Sequence, residues 1–198
     1  MTAFRRHDAF ANDHRLYLGP LSFGAPASVA ARAAEADVVF AIGTRLSELA
    51  TLGYRVPGPG ATVIHADISP DVLGQTVPAA MAIAADANEV IAALLAAAVE
   101  PPAAGRVAAN AADRDAYERG AMPPTEPSVG DLVDPALVVA ELRRQLPPEA
   151  IVSADAGNFW GWVVRSFSFP RPRTLLAPTS GAMGYAVPAA VAAALVTE

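Results

Sequence analysis

Three stretches of this sequence hold residues that could do chemistry. Gly43-Thr44-Arg45 follows an apolar run; there the arginine could pair with a phosphate and the glycine would admit close backbone approach. A turn with a surface arginine would look the same. Asp67, with Asp86 as a companion, could accept hydrogen bonds from ribose hydroxyls if it stands beyond a strand. Each aspartate also suits a helix cap or a turn. The third stretch, Thr179 to Ala190, joins a small-residue turn to a helix containing a proline, and two glycines, Gly181 and Gly184, flank Met183. Glycines of this kind let backbone groups approach a flat ligand while one large apolar side chain touches it. Met183 could equally plug a core.

Chemistry of this kind needs strand ends to present it, because in open α/β sheets ligands gather beyond the carboxyl ends of the strands. Ala25 to about Glu35 reads as a helix with Ser28 in its first turn, and Asp37 to Gly43 as a short buried parallel strand stopped by glycine. Beyond a Pro/Gly loop, Val56 to Gly60, the run Thr62 to Ile68 repeats the strand pattern. Ser69-Pro70-Asp71 opens a short helical turn, and Asp86 to Ala98 reads as a helix with Asp86 or Asn88 near its start.

Residues 99–134 change in composition, with Pro101-Pro102, Pro123-Pro124 and Pro127, and read as a linker. A second α/β unit follows over residues 135–198. It comprises a helix from Pro135 to Gln145, a strand Ala150 to Ala154, the turn Asp155-Ala156-Gly157-Asn158, and an aromatic helix with Phe159, Trp160 and Trp162. An extended stretch, Arg173 to Leu176, and a final apolar helix complete it. Strands alternating with helices predict an α/β fold with parallel sheets.

Composition narrows the function. The 198 residues are 53% hydrophobic, enough for one good core or two modest ones. A net charge of −6 offers no basic field for nucleic acid or an anionic membrane surface. Cysteine is absent, so disulfides and thiolate chemistry are excluded. No apolar stretch follows the basic N-terminus, and the most apolar segment, Ala182 to Val196, falls short of the roughly 20 residues that span a bilayer. A cytoplasmic location is the expectation. No GxGxxG fingerprint precedes Asp67 or Asp86, which leaves a nicotinamide dehydrogenase weakly supported.

The order of the segments resembles the middle and carboxyl-terminal domains of thiamine-diphosphate enzymes of the acetolactate synthase and benzoylformate decarboxylase type. Asn12 to Gly19 is similar to the family's "NHPLYLG", Ala36 to Arg45 to "ADLVLAVGTR", and Val63 to Pro70 to "VIHIDIDP". Asp155 to Asn158 resembles the "D-x-G" turn, and Gly181 to Ala190 the specific motif "GAMGYGLPAA".

The resemblance implies an incomplete Rossmann-like middle domain over 1–98 and a truncated cofactor domain over 135–198. By it, the Gly181 carbonyl and the Met183 amide would meet the cofactor's pyrimidine, with Ala182 between them. The Met183 side chain would hold the cofactor bent, and Gly157 and Asn158 would lie near the diphosphate. The implied reaction is decarboxylation of a 2-oxo acid and transfer of the remaining acyl group. Magnesium accompanies thiamine diphosphate in the family. FAD is admitted at Arg45, Asp67, Ile68 and Asp86, the positions comparable with its nucleotide contacts. The family's catalytic glutamate and its "GDG…N" magnesium motif have no counterpart in these residues. The chain is therefore expected to be a partial one, inactive alone; the resemblance admits a homo-oligomer or a companion chain as partner, with oligomerisation expected only where the missing parts are present. The alternative is a non-catalytic remnant that binds a nucleotide or a partner.

Overall fold

The computed structural model describes residues 1–97, 100–127, 130 and 132–197. They form an α/β structure of two compact units, one made of residues 1–29 and 110–198 and the other of residues 30–109. The division falls inside helix α1 (Ala27–Ala34) and inside helix α3 (Ala104–Ala121).

The unit of residues 30–109 is built on three parallel strands, β1 (Val38–Ile42), β2 (Thr62–Asp67) and β3 (Met81–Ala84), in the order β1-β2-β3. β1 and β2 are the two runs read from sequence. Their register pairs Val38 with Thr62 and Ile42 with Ala66, and β2 pairs Asp67 with Ala84 of β3. Val63, His65 and Ala66 are buried, so the central strand carries the core. β3 is short and its Met81 is exposed, which left little apolar signal to read. After β3, Asp86 caps helix α2 (Ala87–Ala96) by accepting the Asn88 N–H at 2.8 Å. The helix read to residue 98 stops at Ala96, and Ala98 lies outside the described residues.

The stretch read as a linker contains α3, an 18-residue helix between the two diproline pairs. Seven alanines supply its propensity, and an Arg114–Glu118 pair at 2.7 Å adds one i,i+4 contact. Tertiary contacts fix its carboxyl half. Arg114 donates to the carbonyls of Asn12 and Tyr17, both at 2.8 Å, and Tyr117 packs edge-on against the buried Tyr17. These contacts lie far apart in sequence, so composition could not reveal them. The linker residues Val99, Ser128, Val129 and Asp131 lie outside the described residues.

Helix α4 (Pro135–Gln145) starts as read, with Asp134 accepting the Ala136 N–H at 2.8 Å and proline in the first turn. Two short parallel strands, β4 (Val152–Ser153) and β5 (Leu175–Leu176), pair at the centre of this unit. Helix α5 (Trp160–Ser166) sends Trp160, Val163 and Val164 into a core with Phe167, Phe169 and Leu175. The N-terminal segment seals that core. Asn12 Oδ1 accepts the Phe169 N–H at 2.8 Å while its Nδ2 donates to the His7 carbonyl at 2.8 Å. Asp8 accepts the N–H groups of Thr174 and Leu175, both at 3.1 Å, and so satisfies the edge of β5. Helix α6 (Ala186–Val196) ends the described chain and buries none of its residues.

Candidate functional site

Two turns come together beyond the carboxyl ends of β4 and β5. One, Asp155 to Asn158, leads from β4 into α5; the other, Pro178 to Tyr185, leads from β5 into α6. Parallel strands deliver both turns to one end of the pair, the general location of ligands in such sheets. The joint between them is Asp155. Its Oδ2 accepts the Gly184 N–H at 2.8 Å, and its Oδ1 accepts the N–H groups of Tyr185 at 3.4 Å and Ala156 at 3.0 Å. Desolvation works against the charge on this carboxylate, but the backbone donors together outweigh it and hold its pKa below the ordinary value. Ser153 of β4 adds a second tie, its hydroxyl donating to the Ala186 carbonyl at 2.8 Å.

The turn thus held presents backbone rather than side-chain chemistry. Gly181 has φ +73° and Gly184 φ +87°, a left-handed conformation that other residues adopt only with strain. No atom lies within 4 Å of where a Cβ would stand at either glycine, so the space over them is open. Met183 is 83% exposed, which removes the core-filling alternative, and Ala182 is exposed beside it. Gly157 and Asn158 are exposed at the head of α5, where their carbonyls accept the N–H groups of Trp160 and Gly161 at 3.1 and 3.0 Å. Of the three aromatics considered as pocket walls, Trp160 is 2% exposed and belongs to the core. It stacks on His7 at 5.2 Å and lies under the Arg5 guanidinium at 5.1 Å. Phe159 and Trp162 keep part of their surface.

The nucleotide candidates gather at the carboxyl edge of the three-stranded sheet. Gly43 donates to the Ala66 carbonyl at 2.8 Å, and Ala85 to the Asp67 carbonyl at 3.2 Å, so the ends of β1, β2 and β3 lie side by side. Asp67 closes a turn by accepting the Ser69 N–H at 2.9 Å, and Asp86 caps α2. Both aspartates therefore do the local work that their bland readings describe. Arg45 and Ile68 are exposed. Buried His65 holds this edge in shape, with Nε2 2.8 Å from the Thr44 carbonyl and Nδ1 3.4 Å from the Gly74 nitrogen. Those partners suit a ring that donates from Nε2 and accepts at Nδ1.

Grooves among the described residues lie elsewhere. One of about 540 Å³ runs between α2 and the sheet and is lined by Phe40, Ile64, Met81, Ile83, Val90 and Leu94. Another of about 440 Å³ lies beside Arg6, Asp8, Arg173 and Leu175. Neither is lined by a candidate site residue. Among the described residues no group of three His, Asp or Glu side chains could hold a metal ion, and no helix is long and apolar enough to cross a membrane.

Asp155, Ser153 and Arg5 were not among the site residues read from sequence. The signal for Asp155 was present, a carboxylate at a strand end next to small residues, but its partners are 29 and 30 positions away.

A parallel α/β architecture with a glycine-flanked methionine turn at the strand ends is the arrangement that the sequence resemblance implied for a cofactor domain. Sequence comparison agrees. The thiamine pyrophosphate enzyme central-domain model matches residues 1–94, and the C-terminal TPP-binding-domain model of the same enzymes matches residues 155–198. The chain belongs to the thiamine pyrophosphate enzyme family. It is similar to the sulfoacetaldehyde acetyltransferase of Rhodobacter capsulatus, with 34% identity covering 97% of this chain and 36% of the relative. It is also similar to the acetolactate synthase large subunit of Corynebacterium glutamicum, with 31% identity covering 93% and 30%. The acetolactate synthase of Mycobacterium avium shares 33% identity over 98% of this chain and 32% of its own length. The chain thus spans about a third of the length of the curated relatives it matches. The central-domain match includes residues 1–29, which pack with the cofactor-domain residues in the structure.

Proposed function

We propose that this chain forms the pyrimidine-holding part of a thiamine diphosphate site in an enzyme that decarboxylates a 2-oxo acid and transfers the acyl group to an acceptor. The observation that carries the reading is the exposed Met183 between two left-handed glycines, on a turn tied to the end of β4. The residues fit the group: the open space over Gly181 and Gly184 leaves backbone polar atoms reachable, and Met183 has no competing role in the core.

In this reading the Gly181 carbonyl accepts from the pyrimidine amino group, the Met183 amide donates to a ring nitrogen, and Ala182 spans the two. The Met183 side chain supports the bend of the cofactor. Gly157 and Asn158 stand by the diphosphate, where a strand-to-helix turn favours an anion. When bound, thiamine diphosphate supplies a stabilised carbanion for reaction at the 2-oxo carbon. The chain's own part is to orient and bend; the glutamate facing the aminopyrimidine and the oxygen ligands of magnesium are assigned to a companion chain. Alone, the chain is proposed to be inactive. A cytoplasmic location and the domain limits 1–98, 99–134 and 135–198 belong to the same proposal.

A nucleotide such as FAD is proposed for the edge that carries Arg45, Asp67, Ile68 and Asp86. What supports this is the convergence of three strand ends there.

Isothermal titration of the chain with thiamine diphosphate and Mg²⁺, repeated with FAD, tests both readings. Micromolar binding that Met183→Ala weakens at least ~10-fold is the expected result. A folded protein that binds FAD and not thiamine diphosphate would overturn the main reading in favour of a nucleotide-binding remnant.

A further inference from the structure

The Met183 turn has little of its own to hold it. Two glycines flank the methionine, and glycine loses more backbone freedom on ordering than any other residue. No atom packs where their side chains would be, and Met183 points no bulk into a core. The order must come from outside the turn.

We infer that Asp155 is the positioning residue of this turn, setting the backbone of Gly181 to Tyr185 in the form that receives the pyrimidine; the inference rests on the thiamine diphosphate reading above. Its carboxylate takes the Gly184 and Tyr185 N–H groups at 2.8 and 3.4 Å, at the start of α6, where a negative charge also suits the helix dipole. Ser153 secures the next carbonyl, that of Ala186.

Asp155 is itself anchored on both sides. The preceding residue, Ala154, is 5% exposed and donates to the Leu176 carbonyl at 2.9 Å, and the buried Arg5 guanidinium lies 3.4 Å from the Asp155 carbonyl oxygen. The conformation of an otherwise free loop is thereby referred to the β4–β5 core. Asp155 touches no ligand in this role. It lowers the ordering cost of binding by meeting it in the fold beforehand.

Amide hydrogen exchange measured by NMR on the full chain without cofactor, joined to titration with thiamine diphosphate and Mg²⁺, tests the inference. Asp155→Ala should speed exchange at Gly184 and Tyr185 by ~10-fold or more, leave Trp160 and Val164 protected as in the wild type, and weaken thiamine diphosphate binding by a similar factor. Asp155→Asn keeps one good acceptor and should rescue Gly184 protection, the shorter bond, while Tyr185 stays fast. Ser153→Ala should show the same local pattern to a smaller degree.

Wild-type exchange at Gly184 and Tyr185 in Asp155→Ala would overturn the inference. So would faster exchange with undiminished affinity, or loss of protection spread evenly over Trp160 and Val164. A wild-type chain that binds no thiamine diphosphate would sink the site reading, while the exchange data would still decide whether Asp155 orders the turn.

Discussion

The turn beyond β4 and the sheet edge beyond β1, β2 and β3 use their aspartates in opposite ways. At the sheet edge Asp67 and Asp86 each accept from the residue two positions on, closing a turn and capping a helix. Asp155 instead reaches 29 and 30 residues along the chain to hold a glycine-flanked methionine whose side chain faces solvent. A carboxylate that serves its own neighbours is accounted for by local structure. One that crosses between strand ends to order an open turn indicates a site, because ordering two glycines there has no return in packing. The contrast separates an open turn tied from a distance from an edge whose aspartates serve local structure.

The strongest way to break that contrast is to remove the platform beneath the turn. Trp160→Ala should cost about 3–5 kcal/mol in urea unfolding, since it empties a large buried site under Arg5 and His7. A loss below about 1 kcal/mol would show that the β4–β5 core does not depend on it.

Next in size is a pH effect from the same cluster. Burial first, and the Arg5 charge second, push the His7 pKa down to about 3. The folded protein therefore keeps His7 neutral while the unfolded chain protonates near 6.5. The unfolded state binds the extra proton, so stability falls as pH drops from about 6.5 towards 3, by about 2 kcal/mol between pH 7 and pH 5. His7→Phe, which retains a ring over Trp160, should flatten this slope in urea midpoints measured across that range. An unchanged slope would assign the acid sensitivity to other groups.

The smallest effect sharpens the comparison from the other side. Asp86→Ala should cost about 1 kcal/mol through loss of the α2 cap, and leave thiamine diphosphate binding unaltered. If FAD binding fell with a capping-competent Asp86→Ser variant, Asp86 would act on a ligand as well as on its helix.

Much of the architecture was legible in local patterns. The β-rich runs stopped by Gly43 and by polar residues after Asp67 became β1 and β2, and Asp134-Pro135 opened α4 as read. β3 escaped because Met81 to Ala84 is short and largely exposed. α3 escaped because proline pairs at both ends masked a stretch whose carboxyl half is secured by Arg114 and Tyr117. Of the site, the glycines and Met183 could be named from their motif, whereas Asp155 could be noticed but given no role, since its partners are set by the β4–β5 pairing.

The sequence by itself determined the α/β class, the strand ends where ligands would gather, the lack of cysteine chemistry, and the residues of the methionine turn. Spacing and side-chain type suffice for these because hydrophobic period, capping and glycine's backbone freedom act over a few residues. Only the tertiary structure decided that residues 1–29 pack with the cofactor-domain residues, that Trp160 is core, that Met183 is exposed, and that Asp155 holds the turn. Those outcomes depend on burial and on hydrogen bonds between distant positions, which exist only once the parallel strands have brought their ends together.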